Sequence, residues 1–373
     1  MKPRSRLIRH LIAAASAAAI ALSFAPVAWT SASGDLDHSE LERYQPRFGR
    51  TKPLVVVVGE NAGTELIDFT VPYGVLSASG VADILAVATL SGSIRMLPAL
   101  RIQPQETLDS FDAAHPEGAD YVIVPAVRPA DEGGSRVLIA WLQSQAAKGA
   151  TMVSICDGAL MVAKAGLFSG HFATGHWATQ KQRQHDFPNA HWLTNIRYVA
   201  DGKVVSSAGV SAAFPLSLAL VESIGGHDRA AAVAKELGIQ SWGNAHDSST
   251  FRLGAGIYFL AARNWVSRHQ DVELPVIDGV DDIALAVSAD AFSRTFRGKA
   301  YASAKTLDPI RTRYGLTLLP DRVGGKSRSW RPIDLAASIV PSGQSLTAAL
   351  DAIHTKYGRS TATFVALQLE YPQ

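Results

Sequence analysis

The 373-residue chain holds one cysteine, and the strongest chemical signal in the sequence surrounds it. Cys156 follows the run Thr151-Met152-Val153-Ser154-Ile155 and precedes Asp157-Gly158-Ala159-Leu160, where an apolar helix begins. A sharp strand-to-helix turn holds a side chain out above the strand ends. The helix start adds unpaired N–H groups and a positive dipole end, both favouring a thiolate. A sulfur placed in this way is a nucleophile for a small electrophilic substrate, and Gly158 would let such a ligand approach the backbone closely. The competing reading is a buried structural cysteine, since free cysteine is among the most buried residue types. A single cysteine excludes an intramolecular disulfide and a multi-cysteine metal cage.

Other residues could serve the same site. His176, in a His-Trp segment after the cysteine, has the chemistry of a base toward a thiol. A satisfied structural histidine beside Trp177 is the alternative. Ser207-Ala208-Gly209 ends a strand and opens a helix. Small side chains there leave room for a ligand beneath helix N–H groups, or serve close packing. The histidines are scattered without metal-ligand spacing, and Gly59-Glu60-Asn61-Ala62-Gly63 is too short for a phosphate loop and lacks its lysine. The sequence therefore calls for no metal and no cofactor.

Positioning these groups requires a sheet. Leu54-Val55-Val56-Val57-Val58, ending at Gly59, reads as a strand buried on both faces. Residues 67–78 carry helical spacing and stop at Gly80. Further strands are expected at 84–88, 121–124, 151–155, 196–199 and 203–207, and helices at 136–147, 159–165 and 212–224. This alternation predicts an α/β fold over residues 53–238, a doubly wound, mostly parallel sheet sandwiched by helices.

A hydrophobic fraction of 47% against 18% charged residues excludes a mostly disordered chain. The net charge is +2, and Lys2, Arg4, Arg6 and Arg9 are all in the first nine residues, so the rest carries −2. That balance leaves no electrostatic footprint for nucleic acid. The four cations precede an uncharged, Ala-rich run over residues 11–29 with small residues at Ser23-Phe24-Ala25 and Pro26-Val27-Ala28. Residues 1–34 read as a secretory signal peptide, with an N-terminal membrane anchor as the alternative. Either places the body outside the cytoplasm, in the periplasm or secreted. Residues 35–52 read as a linker. Residues 254–262 are apolar, but Arg252 and Arg263 flank them closely, so a buried helix is expected there.

Four segments carry a family resemblance: Leu66-Ile67-Asp68-Phe69-Thr70-Val71-Pro72, Ile155-Cys156-Asp157-Gly158-Ala159, Ala173-Thr174-Gly175-His176-Trp177-Ala178, and Ser206-Ser207-Ala208-Gly209-Val210-Ser211-Ala212. In this order and spacing, residues 53–238 resemble the ThiJ/PfpI superfamily with its class I glutamine amidotransferase-like fold. The nearest branch is that of isonitrile hydratases and the sensor halves of AraC-type regulators. The resemblance implies that Cys156 is the elbow cysteine and Asp68 the acid beside its sulfur, with Glu60 and Glu65 as rivals on the same loop. It implies that amides near Ala126 and Asp157 stabilise developing charge, and that the protein forms homodimers. A carboxyl group beside a thiolate is useful only if one of the two holds a proton.

There are departures. Asp157 stands where protease-like members carry histidine, which disfavours peptidase activity and raises the thiol pKa. Pro125-Ala126-Val127 lacks the glycines of many relatives' oxyanion holes, and His227-Asp228 is not followed by the glutamate of an amidotransferase triad. After Gly238 no helix pair with a basic recognition helix appears, so a DNA-binding half is not expected. The function implied is an exported cysteine-dependent hydrolase or hydratase of a small molecule. The alternative is a non-catalytic small-molecule or redox sensor.

Residues 239–373 hold a second signal. Residues 94–104 align without gaps on 310–320, and the same offset sets Ser77 on Ser293, Ala86 on Ala302 and the first helix on 283–292. Ala284 then stands in the place of Asp68, and the stretch holds no cysteine. A truncated repeat of the opening is expected, lacking the chemistry and serving as a structural or partner-binding lobe. Chance similarity is the alternative.

Overall fold

Strand β1 (Leu54–Gly59) is buried along its whole length and leads through β2 (Thr64–Glu65) into α1 (Leu66–Ser79), which a left-handed Gly80 caps. There follow β3 (Asp83–Ala88), β4 (Ile94–Leu97), β5 (Arg101–Gln103), β6 (Glu106–Thr107), α2 (Leu108–Ala114), β7 (Tyr121–Val124) and α3 (Glu132–Ala147). The cysteine turn is framed by β8 (Thr151–Ser154) and α4 (Gly158–Lys164). Then come β9 (Phe172–Ala173), α5 (Gln180–Asp186), β10 (His191–Trp192), β11 (Tyr198–Asp201), β12 (Val204–Ser207), α6 (Ala213–Gly225) and α7 (His227–Leu237). The remainder holds α8 (Ala255–Val266), β13 (Val272–Pro275), α9 (Asp282–Ser293), β14 (Ala300–Ala304), β15 (Ile310–Arg311), β16 (Thr317–Leu318), β17 (Arg322–Val323), β18 (Arg331–Pro332), α10 (Ser345–Tyr357) and α11 (Arg359–Gln368). This computed structural model describes residues 38, 40–324, 331–332 and 340–372. The expected signal or anchor over residues 1–34 lies outside them. Among the described residues no helix is long and apolar enough to cross a membrane.

The main sheet has seven strands in the order β11-β12-β8-β7-β1-β3-β6, parallel except for the β11–β12 hairpin. It is the α/β sheet the strand–helix alternation predicts. Strand side chains alternate between faces, so β1 feeds two cores. Val55 and Val57 join α1, α6 and α7 on one side, while Leu54, Val56 and Val58 join α2, α3 and α4 on the other. The open carboxyl ends of such a sheet are where ligands bind in this class of fold.

One expectation is corrected. The apolar run at 254–262 forms a helix, α8, but the helix is not buried. Tyr258, Phe259, Trp265 and Val266 are exposed, and Asn264 is its buried residue. The C-terminal region has its own four-stranded sheet, β17-β14-β13-β18, and contributes β15 and β16 to a five-stranded sheet, β15-β16-β5-β4-β2. The described residues from His38 onward form one compact unit, in which α9 packs on α1 and α10 packs on α9.

Candidate active site

The turn between β8 and α4 places Cys156 in the left-handed region, φ 56°, which a residue with a Cβ adopts only at a cost. The strain is held by main-chain bonds on both sides: Cys156 N donates to Ala208 O (3.0 Å), and Gly158 N donates to Ile155 O (2.9 Å). Gly158 is required here for packing. A Cβ on it would lie 1.9 Å from the Val124 carbonyl oxygen and 2.8 Å from that of Pro125. The side of Gly158 where a Cβ would stand is therefore occupied by the end of β7. The space beside Gly209 is likewise taken, with Glu370 Oε2 2.4 Å and His176 Cδ2 2.8 Å from such an atom.

Cys156 is 5% exposed, but its neighbours are not hydrocarbon alone. Burial pushes its thiol well above the usual range, and the charges of Asp68, Asp157 and Glu65 add to that; the Asp157 N–H, turned to the sulfur, opposes it. Asp68 is fully buried on α1. Its amide donates to Glu65 Oε2 (2.6 Å), and its Oδ2 accepts from Ala126 N (3.2 Å). Its Oδ1 has no hydrogen-bond partner. Burial pushes the Asp68 carboxyl up to about 7, against the pull of the Ala126 amide and Arg294. A group titrating there can hold or accept a proton at neutral pH.

The structure thus brings Asp68, Asp157, Glu65 and Cys156 together and leaves Glu60 elsewhere, where its carboxylate accepts from Ala62 N and Thr89 Oγ1. The Ala126 amide, expected to face substrate, is spent on Asp68. Ser207 is buried on β12, with an unpartnered hydroxyl. His176 does reach the cysteine: one atom each from Cys156, Asp157 and His176 lie within 4.8 Å of one another. Both imidazole nitrogens are engaged, however. Nδ1 accepts from Ala178 N (3.3 Å), which leaves Nε2 to donate to Gln368 O (3.3 Å). Burial lowers its pKa, so it is a neutral, positioned ring rather than a free base. Those three groups have the spacing for a cation, but the guanidinium of Arg183 lies 4.0 Å from Asp157 Oδ1 and opposes one.

Several site residues carried no signal in the sequence. The side chain of Arg183 is buried and donates to the carbonyls of His176 (2.6 Å) and Gly175 (3.1 Å). Thr179 donates to Asp157. From the C-terminal region, Arg294 bonds Glu65 Oε1 (2.8 Å) and Asp290, and Glu370 accepts from Trp177 N (3.3 Å) while pairing with His246 (2.8 Å). None of these lies near the cysteine in sequence.

Part of the chain is similar to known proteins. Residues 54–223 match the DJ-1/PfpI family. The chain is 27% identical over 176 residues to isonitrile hydratase of Pseudomonas putida, covering 46% of this chain and 72% of that protein. It is 31% identical over 99 residues to the HTH-type transcriptional regulator CdhR of Pseudomonas aeruginosa, covering 26% of this chain but only 29% of the regulator. Protein dj-1beta of Drosophila melanogaster is 25% identical over 179 residues, covering 47% and 91% of the two chains. The crystal structure of Drosophila melanogaster DJ-1beta aligns with a TM-score of 0.43 at 22% identity, covering 51% of this chain and all of that one.

Proposed function

Through residues 54–223 the chain belongs to the DJ-1/PfpI family, and from that premise we propose that it is a cysteine-dependent hydrolase or hydratase of a small molecule. One observation carries the reading: a strained elbow cysteine shares a buried site with a carboxyl group, Asp68, that titrates at about 7. The ionised Asp68 takes the thiol proton as the sulfur attacks an electrophilic carbon, and returns it to the substrate. This avoids a free thiolate in a site whose charges oppose one.

Isonitriles are the first class to test, because isonitrile hydratase of Pseudomonas putida is similar to this chain over 176 residues. Sulfur would add to the terminal carbon, and that carbon would take the proton, giving a thioimidate. Water then adds, the C–S bond breaks, and a formamide leaves with the thiol restored. Amides and glyoxal adducts are the next classes. With any of them, Cys156→Ala abolishes turnover. Asp68→Asn lowers it by about 10²–10⁴-fold and removes the rise in rate with pH through about 7. The experiment is a substrate screen of the wild type and both variants across pH.

A second reading is favoured by the thiol's burial and raised pKa: a non-catalytic small-molecule binding protein or sensor. Under it, no substrate turns over and Cys156→Ala leaves small-molecule binding unchanged.

A further inference from the structure

The C-terminal region repeats the opening of the first domain in space. The 216-residue offset that sets Ile94 on Ile310 also sets β3 on β14, β6 on β17 and α1 on α9. The small sheet runs β17-β14-β13-β18 where the large one runs β6-β3-β1-β7. Registers agree: Val87 faces Glu106, and Ser303 faces Arg322, each 216 residues further on. The helix caps agree too, since Glu65 accepts from the amide of Asp68 and Asp281 from that of Ala284. Helices α10 and α11 stand where α6 and α7 stand, each pair meeting at a glycine with closely similar angles (Gly226 φ 85°, ψ 166°; Gly358 φ 87°, ψ 161°). The copy lacks the intervening chain: residues 333–344 separate β18 from α10, where residues 125–212, with the cysteine elbow, separate β7 from α6.

The two copies meet about a local two-fold axis. Ile102 pairs with Leu318, its own counterpart. On one side Gln103 faces Thr317; on the other, Leu319 N donates to Arg101 O (3.0 Å), the exchanged positions. Such self-complementary pairing is the signature of an isologous contact. The site breaks this symmetry. Arg294 and Asp290 occupy the positions of Ala78 and Gly74, and the Arg294 side chain crosses between the copies to Glu65.

We propose that the C-terminal region is a degenerate second copy of the opening, joined in cis, and that it completes the site through Arg294, a positioning residue that fixes Glu65 and so the Asp68 carboxyl beside Cys156. The chain of contacts is short. Glu65 takes Arg294 on Oε1 and the Asp68 amide on Oε2, so one guanidinium anchors the helix turn that carries Asp68. Glu65 and Asp290 both bond that guanidinium. Its charge pulls on the buried Asp68 carboxyl, which burial pushes up to about 7. The elbow contributes Cys156 and Asp157 to the same field. Neutral His176, the Glu370–His246 pair and Arg183 border it.

The inference rests on Cys156 and Asp68 carrying the chemistry, and the test separates the two. In the full chain, the Asp68 carboxyl is titrated by infrared difference spectroscopy against Asp68→Asn, and Cys156 alkylation by iodoacetamide is followed across pH. Arg294 lowers the Asp68 titration and Asp290 raises it. Arg294→Met is expected to move the titration up by about one unit or more and to carry the alkylation profile the same way. Arg294→Lys restores most of the shift, and Asp290→Asn moves the titration down. Melting curves identify the folded variants. If Arg294→Met does not fold, the sign of the Asp290→Asn shift decides. Folded variants that titrate like the wild type overturn the role of Arg294, even if Cys156-dependent turnover is found. Shifted titrations with no turnover of any substrate uphold it and sink the enzymatic reading instead.

Discussion

At Asp68 the cost of burying a charge is turned to use. The carboxyl is wholly enclosed, one oxygen is satisfied by Ala126 N, and the other has no partner. Burial therefore favours the protonated acid, and the pKa rises from its ordinary value to about 7. The linkage has a definite sign. The folded state binds the proton more tightly than the unfolded chain, so the stabilisation is complete below the unfolded pKa near 3.8 and is lost as pH rises through about 7. Each unit of that difference is worth roughly 1.4 kcal/mol. Asp68→Asn removes the charge but keeps an oxygen for Ala126 N. Thermal unfolding is expected to show the variant melting above the wild type at pH 8, with the gap closing toward pH 4. A gap independent of pH would mean that Asp68 stays ionised throughout.

The elbow shows what a sequence can and cannot disclose about an element. Its existence is legible, because the strand ending at Ser154 and the helix starting at Gly158 each carry their own pattern and only a tight turn fits between them. What Gly158 faces is not legible, because the Val124 carbonyl that excludes its Cβ belongs to a different strand. The same holds for Ala126, whose amide looks free in sequence and meets Asp68 only through the packing of α1 against the end of β7. The misreading of α8 has the same origin, since apolar content does not reveal whether a neighbour covers a helix. Gly158→Ala is expected to be among the most damaging small changes in the chain. The atom it clashes with is backbone, which cannot rotate away, so the loss belongs at or beyond the upper end of the roughly 1–3 kcal/mol typical of overpacking. Denaturant unfolding would measure it. A near-wild-type midpoint would show that β7 and α4 separate readily.

At the scale of the molecule, the proposed repeat is suggested in the sequence by a gapless match between residues 94–104 and 310–320. The contacts that matter most for the site lie beyond that match. The end of α11 and the residue after it meet the segments beside the elbow: Gln368 O accepts from His176, Leu367 O from the Trp177 indole (3.2 Å), and Leu369 O from Ser211 N (3.0 Å). Glu370 then adopts the left-handed region, φ 52°, and its carboxylate is sealed with His246, the two side chains being 1% and 2% exposed. Removing an acceptor that buried donors depend on leaves them unpaired and costs about 1–3 kcal/mol. Glu370→Ala leaves His246 and the Trp177 amide without their acceptor and removes the carboxylate that fills the space beside Gly209. The variant is therefore expected to melt lower by a margin of that order and, at temperatures where it remains folded, to alkylate at Cys156 faster than the wild type at the same pH. Loss of stability without faster alkylation would mean that the tail braces the fold but is not what covers the sulfur.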